Sequence, residues 1–267
     1  MKRLPVLAHL MLIVCALACA QEITGGRVVV PARNTAHPRV VNANVLEGSI
    51  TVKTYAGNEV IVETSRPREA RGRAAAAPAG MKRLDVPKGL DVDEQDNVVT
   101  IRTQPGGPDQ LVVTVPADTS LNLKSLNGSI AVEGVHGEID ANSHNGQVTL
   151  TNVSGTVVAN SFNGALKVAM DRVDPARPMS FSTFNGPIDV TFPADLKANV
   201  KLKSNDGEIF SDFDIKLTGS HPITEKNNTP NGKFRLRTDG AIYGEINGGG
   251  PELSFQTFNG RITIHKK

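Results

Sequence analysis

The stretch that decides the fold runs from residue 125 to residue 168, "SLNGSIAVEGVHGEIDANSHNGQVTLTNVSGTVVANSFNGALKV". Glycine recurs in it at Gly128, Gly137, Gly146, Gly155 and Gly164, nine residues apart each time. Two residues after each glycine stands an aliphatic side chain: Ile130, Ile139, Val148, Val157 and Leu166. Four after it comes another small or apolar residue: Val132, Ala141, Leu150, Ala159 and Val168. A turn followed by apolar residues at every second position is a short strand with one buried face. Five copies at one spacing point to a repeat architecture, in which each unit buries its face against its neighbours.

Every second turn is the stronger one. Asn-Gly falls at Asn127-Gly128, Asn145-Gly146, Asn163-Gly164, Asn185-Gly186 and Asn259-Gly260, with Asp-Gly at Asp206-Gly207 and Asp239-Gly240. The glycine spacings along this series are 18, 18, 22, 21, 33 and 20. Asn-Gly between apolar runs is also the commonest hairpin signal, so a meander of hairpins competes with a solenoid. The residue three before the glycine separates them: Ser125, Ser143, Ser161, Thr183 and Thr257 repeat the same hydroxyl. In a parallel stack equivalent residues lie over one another at about 4.8 Å, and asparagines bond up and down a ladder. A meander gives no reason for such identity. The sequence therefore predicts an all-β, single-domain parallel β-solenoid of about eight to ten coils. The preferred crossover sense of parallel strands makes it right-handed. Its corners are the Asn-Gly and Asp-Gly pairs, where φ > 0 is expected, so a β-branched residue at Gly164 should be among the worst substitutions.

The flanks fit less regularly. "LEGSITV" at 46–52 mirrors "LNGSIAV" at 126–132, with Glu47 in the asparagine place. Further strands are expected from Asn58 to Thr64, Asn97 to Thr103 and Leu111 to Val115, the last stopped by Pro116, which lacks the ladder donor. Two excursions interrupt the rhythm: an Ala-, Pro- and Arg-rich segment at about 66–89, read as a solvated loop, and a second at about 218–233 that accounts for the 33-residue gap.

The first twenty residues read as an export signal and not as part of the fold: Lys2 and Arg3, a mostly apolar run from Leu4 to Leu17, then "ACA" before Gln21. "ALAC" at 16–19 alternatively resembles a lipoprotein box that would make Cys19 a lipidated first residue. The expected organisation is thus a signal peptide at 1–20, a leader at 21–40 and the repeat domain at 41–267. The apolar run is too short for a comfortable membrane span, so none is expected in the mature chain. Localisation is expected in the periplasm, cell envelope or extracellular surface. Both cysteines, Cys15 and Cys19, fall in the signal region, so no disulfide is available. Removing Lys2 and Arg3 takes the basic count from 29 to 27 against 27 acidic residues, a net charge of 0, which removes the main support for a nucleic-acid partner. With no Trp and two Tyr, the core is expected from Val, Ile, Leu and Ala rather than from large rings.

Candidate chemistry is thin. The histidines outside the signal are His37, His136, His144, His221 and His265, none at a metal-ligand spacing. His144 fills the variable place before Asn145, equivalent to Leu126, Phe162, Phe184 and Phe258. Glu133, Glu138 and Asp140 form one acidic scatter, and Asp171, Asp174 and Asp189 another. Neither recurs at the coil period, so both read as outer-face charges. Tyr55 and Tyr243 alone offer little for a carbohydrate platform. "GEINGGGP" at 244–251 lies between strands with no following helix and reads as a tight turn, not a phosphate cradle. No catalytic residue, cofactor or metal site is expected. Whether Phe162, Phe184 and Phe258 face core or solvent stays open, because the turn breaks the parity count.

Three stretches carry a family resemblance: "NANVLEGSITVKTYAGNEVIVET" near the start, "VTVPADTSLNLKSLNGSI" in the middle and the closing "GEINGGGPELSFQTFNGRITIHKK". With the Asn-Gly repeats, the chain resembles the bacterial "putative adhesin" family of β-strand-repeat proteins, catalogued as a domain of unknown function. The resemblance implies an exported, β-helix-like protein without catalytic residues. The function expected is a non-enzymatic envelope or surface protein, adhesin-like or scaffolding, that presents a repetitive face to a protein or glycan partner. The alternatives are a glycan-active β-helix enzyme, and self-assembly through exposed terminal strands.

Overall fold

The computed structural model describes residues 26–33, 38–64, 89–105, 107–219 and 240–267. These form strands and, among the described residues, no helix. The N-terminal part holds β1 (Arg27–Val30), β2 (Val40–Glu47), β3 (Ser49–Tyr55), β4 (Val60–Thr64), β5 (Leu90–Gln95), β6 (Val98–Thr103) and β7 (Gln110–Pro116). The regular repeat follows as β8 (Ser120–Asn127), β9 (Ile130–Glu133), β10 (Ile139–Asn145), β11 (Val148–Gly155), β12 (Val157–Asn163), β13 (Leu166–Val173), β14 (Met179–Asn185) and β15 (Ile188–Phe192). The C-terminal part adds β16 (Ala198–Asp206), β17 (Ile209–Ser211), β18 (Ile215–Leu217), β19 (Ile242–Ile246), β20 (Glu252–Asn259) and β21 (Ile262–Lys266).

The strands sort into two sheets. The first runs β1-β4-β7-β3-β9-β11-β13-β15-β21-β17 and the second β18-β19-β16-β20-β14-β12-β10-β8-β2-β6-β5. Successive repeat strands alternate between them: β8 ends at Asn127 in the second sheet and β9 starts at Ile130 in the first, and the pattern recurs for β10/β11, β12/β13, β14/β15 and β20/β21. Each such pair is one layer. Layers stack in parallel and in register, Ser125 on Ser143 on Ser161 on Thr183 on Thr257. Antiparallel strands close the ends: β4 and β1 on the first sheet, β5 on the second, and β19 with β18 beyond β16.

The order of layers is not the order of the chain. The layer β2/β3 lies between β6/β7 and β8/β9. At the far end, β20/β21 lies between β14/β15 and β16/β17. The 33-residue gap before Gly240 is therefore more than an excursion, since it contains β17, β18 and part of the path that brings the last layer back one place into the stack. Most of the predicted loop at 66–89, and 220–233 of the second, lie outside the described residues.

The core is the space between the sheets, filled by alternate residues of each strand. Val41, Ala43, Ile50 and Val52 begin it, and Ile139, Ala141, Val148 and Leu150 continue the same pattern, all 2% exposed or less. Burying an aliphatic chain of this size stabilises by about 1.5–3 kcal/mol. One region departs from the aliphatic expectation. Phe181, Phe192 and Phe255 are fully buried, with Phe181 stacked on Phe255 at 5.0 Å and Phe192 edge-on to both at 6.1 and 6.2 Å.

Candidate functional site

The links between the sheets explain the recurring residues. Each Ser or Thr three before the glycine is buried, and its hydroxyl donates to the glycine carbonyl of the adjacent layer. Ser143 donates to Gly128 at 3.0 Å, Ser161 to Gly146 at 2.9 Å, Thr183 to Gly164 at 2.9 Å and Thr257 to Gly186 at 3.1 Å. Each asparagine stays at the surface and donates its amide to the one before it. Asn145 reaches Asn127 at 2.8 Å, Asn163 reaches Asn145 at 2.9 Å, Asn185 reaches Asn163 at 2.9 Å and Asn259 reaches Asn185 at 2.8 Å.

The glycines are needed for a different reason from the one the turn chemistry suggests. Gly128, Gly146, Gly164, Gly186, Gly207 and Gly260 do not have positive φ. Instead, a Cβ on Gly164 would stand 2.6 Å from the carbonyl carbon of Gly146 and closer still to its oxygen. The same approach joins Gly186 to Gly164, Gly260 to Gly186 and Gly207 to Gly260. The layers touch backbone to backbone at this line. Gly240 does not belong to it: it has a φ of 65° and nothing within 4 Å of a notional Cβ, while Asp239 lies outside the described residues.

One place before each asparagine, the side chains point outward from the second sheet. Leu46, Leu126, Phe162, Phe184 and Phe258 are 37%, 47%, 44%, 40% and 44% exposed, which answers the parity question. Their rings form a ladder: His144 on Phe162, Phe162 on Phe184 and Phe184 on Phe258, each at 4.9 Å with interplanar angles of 7°, 6° and 9°. Stacking of this kind adds about 0.5–1.5 kcal/mol per pair beyond burial. Stacked rings cover each other's faces, so solvent meets their edges. The six-layer stripe from Leu46 to Phe258 spans about 24 Å at the interlayer spacing of parallel sheets.

Beside the ladder runs a groove of about 460 Å³. The rings of Phe162, Phe184 and Phe258 form one wall, and Asn142, Asn160, Ser182, Gln256 and Lys203 form the other. Among the described residues, no carboxylate lines it. The polar wall was legible and was missed: each of its residues stands four before a glycine of the series, at Gly146, Gly164, Gly186, Gly260 and Gly207.

The suspected chemical residues do not converge. Glu133 ends β9 in the first sheet, whereas Asp140 is on β10 in the second and accepts from Asn142 at 2.6 Å. Glu138 pairs with Arg177 at 2.7 Å, Asp174 accepts from the Ala176 amide at 2.9 Å, and Asp171 pairs with Lys267. His136 stands 3.9 Å from Asp118, and Tyr55 bonds within its own loop to Glu59. In 244–251, Gly248 and Gly249 have φ of 88° and 83°, as a tight turn requires. His265 is the exception. Its Nδ1 is 3.0 Å from Asp212 and its Nε2 3.7 Å from Asp189, so it ties the last strand to both neighbours, and its hydrogen bond holds the Asp212 carboxyl below the usual carboxylate range. His37, His221 and Cys19 lie outside the described residues. Among the described residues, no group of three His, Cys, Asp or Glu side chains is placed to hold a metal ion.

Residues 41–242 match the family model Toastrack DUF4097. The chain belongs to that family. The match is the resemblance read from the first two quoted stretches, and it stops just before the closing one, which begins at Gly244. No curated protein matches the sequence. A crystal structure of a "putative cell adhesion protein" from Clostridium sporogenes is similar at 10% identity, with a TM-score of 0.41, over 90% of this chain and 99% of that one. Among the described residues no helix is long and apolar enough to cross a membrane.

Proposed function

We propose that this Toastrack DUF4097 protein is a non-enzymatic, exported envelope or surface protein. In this reading it is a single right-handed β-solenoid with Asn-Gly corners that presents the outer face of its second sheet to a partner, adhesin-like or scaffolding. Export by the signal at 1–20, or anchoring at Cys19, belongs to the same proposal. The observation that carries it is the exposed ring ladder. Five large apolar side chains stand in register on a surface fixed by backbone-to-backbone layers, beside a groove lined by amides, hydroxyls and one ammonium. An exposed apolar patch of this extent on a soluble surface ordinarily marks an interaction site. Among the described residues lining that groove there are no paired carboxylates of the kind glycoside hydrolysis needs.

The test is a photo-crosslinker placed at Phe184 in the producing cells, with one at Thr149 of the first sheet as the control. A defined adduct from position 184 that is absent from position 149 is expected. Identical crosslinks from both positions would defeat the reading, and a mature protein retained in the cytoplasm would defeat its export.

A further inference from the structure

Resting on that reading, we propose that the groove takes a proline-rich segment in the polyproline II conformation, running along the stack and across the strands. Four features of the site lead to this occupant.

The first is register. The groove repeats at the layer spacing of about 4.8 Å, so two layers span about 9.6 Å. A polyproline II helix repeats every three residues at about 3.1 Å each, or about 9.3 Å. Every third residue of such a segment therefore meets every second layer. An extended strand, with a two-residue repeat of about 6.6–6.8 Å, falls out of step at once. From Asn142 to Lys203 the groove crosses β10, β12, β14, β20 and β16. Those four spacings cover about 19 Å, two turns of the peptide helix.

The second is hydrogen-bond polarity. Polyproline II has no internal hydrogen bonds and proline has no N–H, so such a segment offers mainly carbonyl oxygens, with a donor only at its non-proline residues. The facing wall is rich in donors. Ser182, Gln256 and Lys203 make no side-chain bond among the described residues, and Asn160 spends one amide hydrogen on Asn142 at 2.8 Å and keeps the other. The aromatic wall agrees in sign, because its rings present their positive edges.

The third is shape. Rings 4.9 Å apart leave no pocket between them, so the wall favours compact, ring-like or small side chains over long anchors. The fourth is area. At 37–47% exposure, the five apolar side chains of the stripe offer roughly 400 Å², taking 150–250 Å² for each large side chain. A stable protein–protein interface buries about 800 Å² on each partner, so the stripe suits a slender ligand better than a second copy of this chain.

The experiment is fluorescence anisotropy with a labelled twelve-residue peptide of Ala-Pro-Pro repeats and the purified protein. Saturable binding is expected, weakened at least tenfold by Phe184→Ser and at least fivefold by Gln256→Leu, with a Gly-Ser peptide of equal length not binding. Both side chains are at the surface, and melting curves confirm that each variant is folded. No saturable peptide binding, or binding unchanged in both folded variants, overturns the proposal. So does a neutral oligosaccharide binding where the peptide does not, or a partner crosslinked at position 184 that carries no proline-rich segment. The last two outcomes leave the interaction surface standing and remove only its assigned ligand.

Discussion

Gly164→Ala tests the physics of the stack most directly. The added Cβ meets the Gly146 carbonyl carbon at 2.6 Å and the Ser161 hydroxyl at 2.8 Å. Both are well inside ordinary contact, so two layers must part by several tenths of an ångström or more. Overpacking of that kind costs about 1–3 kcal/mol. Three bonds span the same joint: Gly146 N–H to the Asn163 carbonyl at 3.1 Å, Ser161 to Gly146 at 2.9 Å and Asn163 to Asn145 at 2.9 Å. Weakening them adds about 0.5–1.5 kcal/mol each at most. A loss of about 3 kcal/mol is expected. For a domain of this size that lowers Tm by roughly 6–12 °C. Gly164→Asn separates close approach from left-handed backbone. Asparagine tolerates φ > 0 better than alanine, so if backbone hand were the reason it would be the milder substitution. Close approach makes it at least as harmful as alanine. Gly248, at φ 88° with nothing within 4 Å of a notional Cβ, is the control where asparagine should be the milder. Calorimetry on the four variants decides. A Gly164→Ala protein melting within 2 °C of the parent, or Gly164→Asn milder than Gly164→Ala, refutes the reasoning.

Three further outcomes are expected. Thr183→Val keeps the shape but removes the donor to the Gly164 carbonyl, and should cost about 1 kcal/mol in denaturant unfolding, whereas Thr183→Ser should cost less. Asn185→Asp removes the donor to Asn163 and sets a carboxylate against its amide oxygen, so stability should drop by about 1 kcal/mol at neutral pH and partly return below pH 4 as the carboxyl protonates. Asp212 is held below its ordinary range first by the His265 hydrogen bond, so its contribution is present above the unfolded carboxylate pKa and lost as pH falls through the lowered folded value. Asp212→Asn should therefore lie below the parent at neutral pH and converge with it in acid, and parallel melting curves from pH 7 to pH 2 would contradict this.

The nine-residue glycine rhythm and the two-residue apolar alternation made the layers, their in-register stacking and most of the core legible, because each layer meets the same environment. Layer order was not legible. Val200, Leu202 and Ser204 repeat the pattern of Leu253, Phe255 and Thr257, and either set fits over Met179, Phe181 and Thr183. The discriminating residue is Asp206. Each asparagine of the ladder donates to the layer before it, and an ionised aspartate cannot donate. Seated on Asn185 it would break the chain of amides, whereas beyond Asn259 it simply ends it. The groove's polar wall was legible from strand parity, which gives the place four before each glycine the same outward facing as the place two before it, although turn chemistry at the Asn-Gly pairs says nothing of either. The buried Phe181, Phe192 and Phe255 could not be told from the exposed phenylalanines by composition alone.

The inward placement of the last layer changes what shortening this chain would mean. A solenoid whose layers follow the chain can lose its final coil and be left with one fresh edge per sheet, which neighbouring repeats survive. Here β20/β21 sits between β14/β15 and β16/β17, so cutting after residue 251 would open a gap with two unsatisfied edges per sheet and strand β16, β17, β18 and β19 beyond it. Residues 252–267 behave as a keystone. Until they seat themselves, β16 and β17 have no layer to rest on, so this end of the stack closes only once β20/β21 is in place.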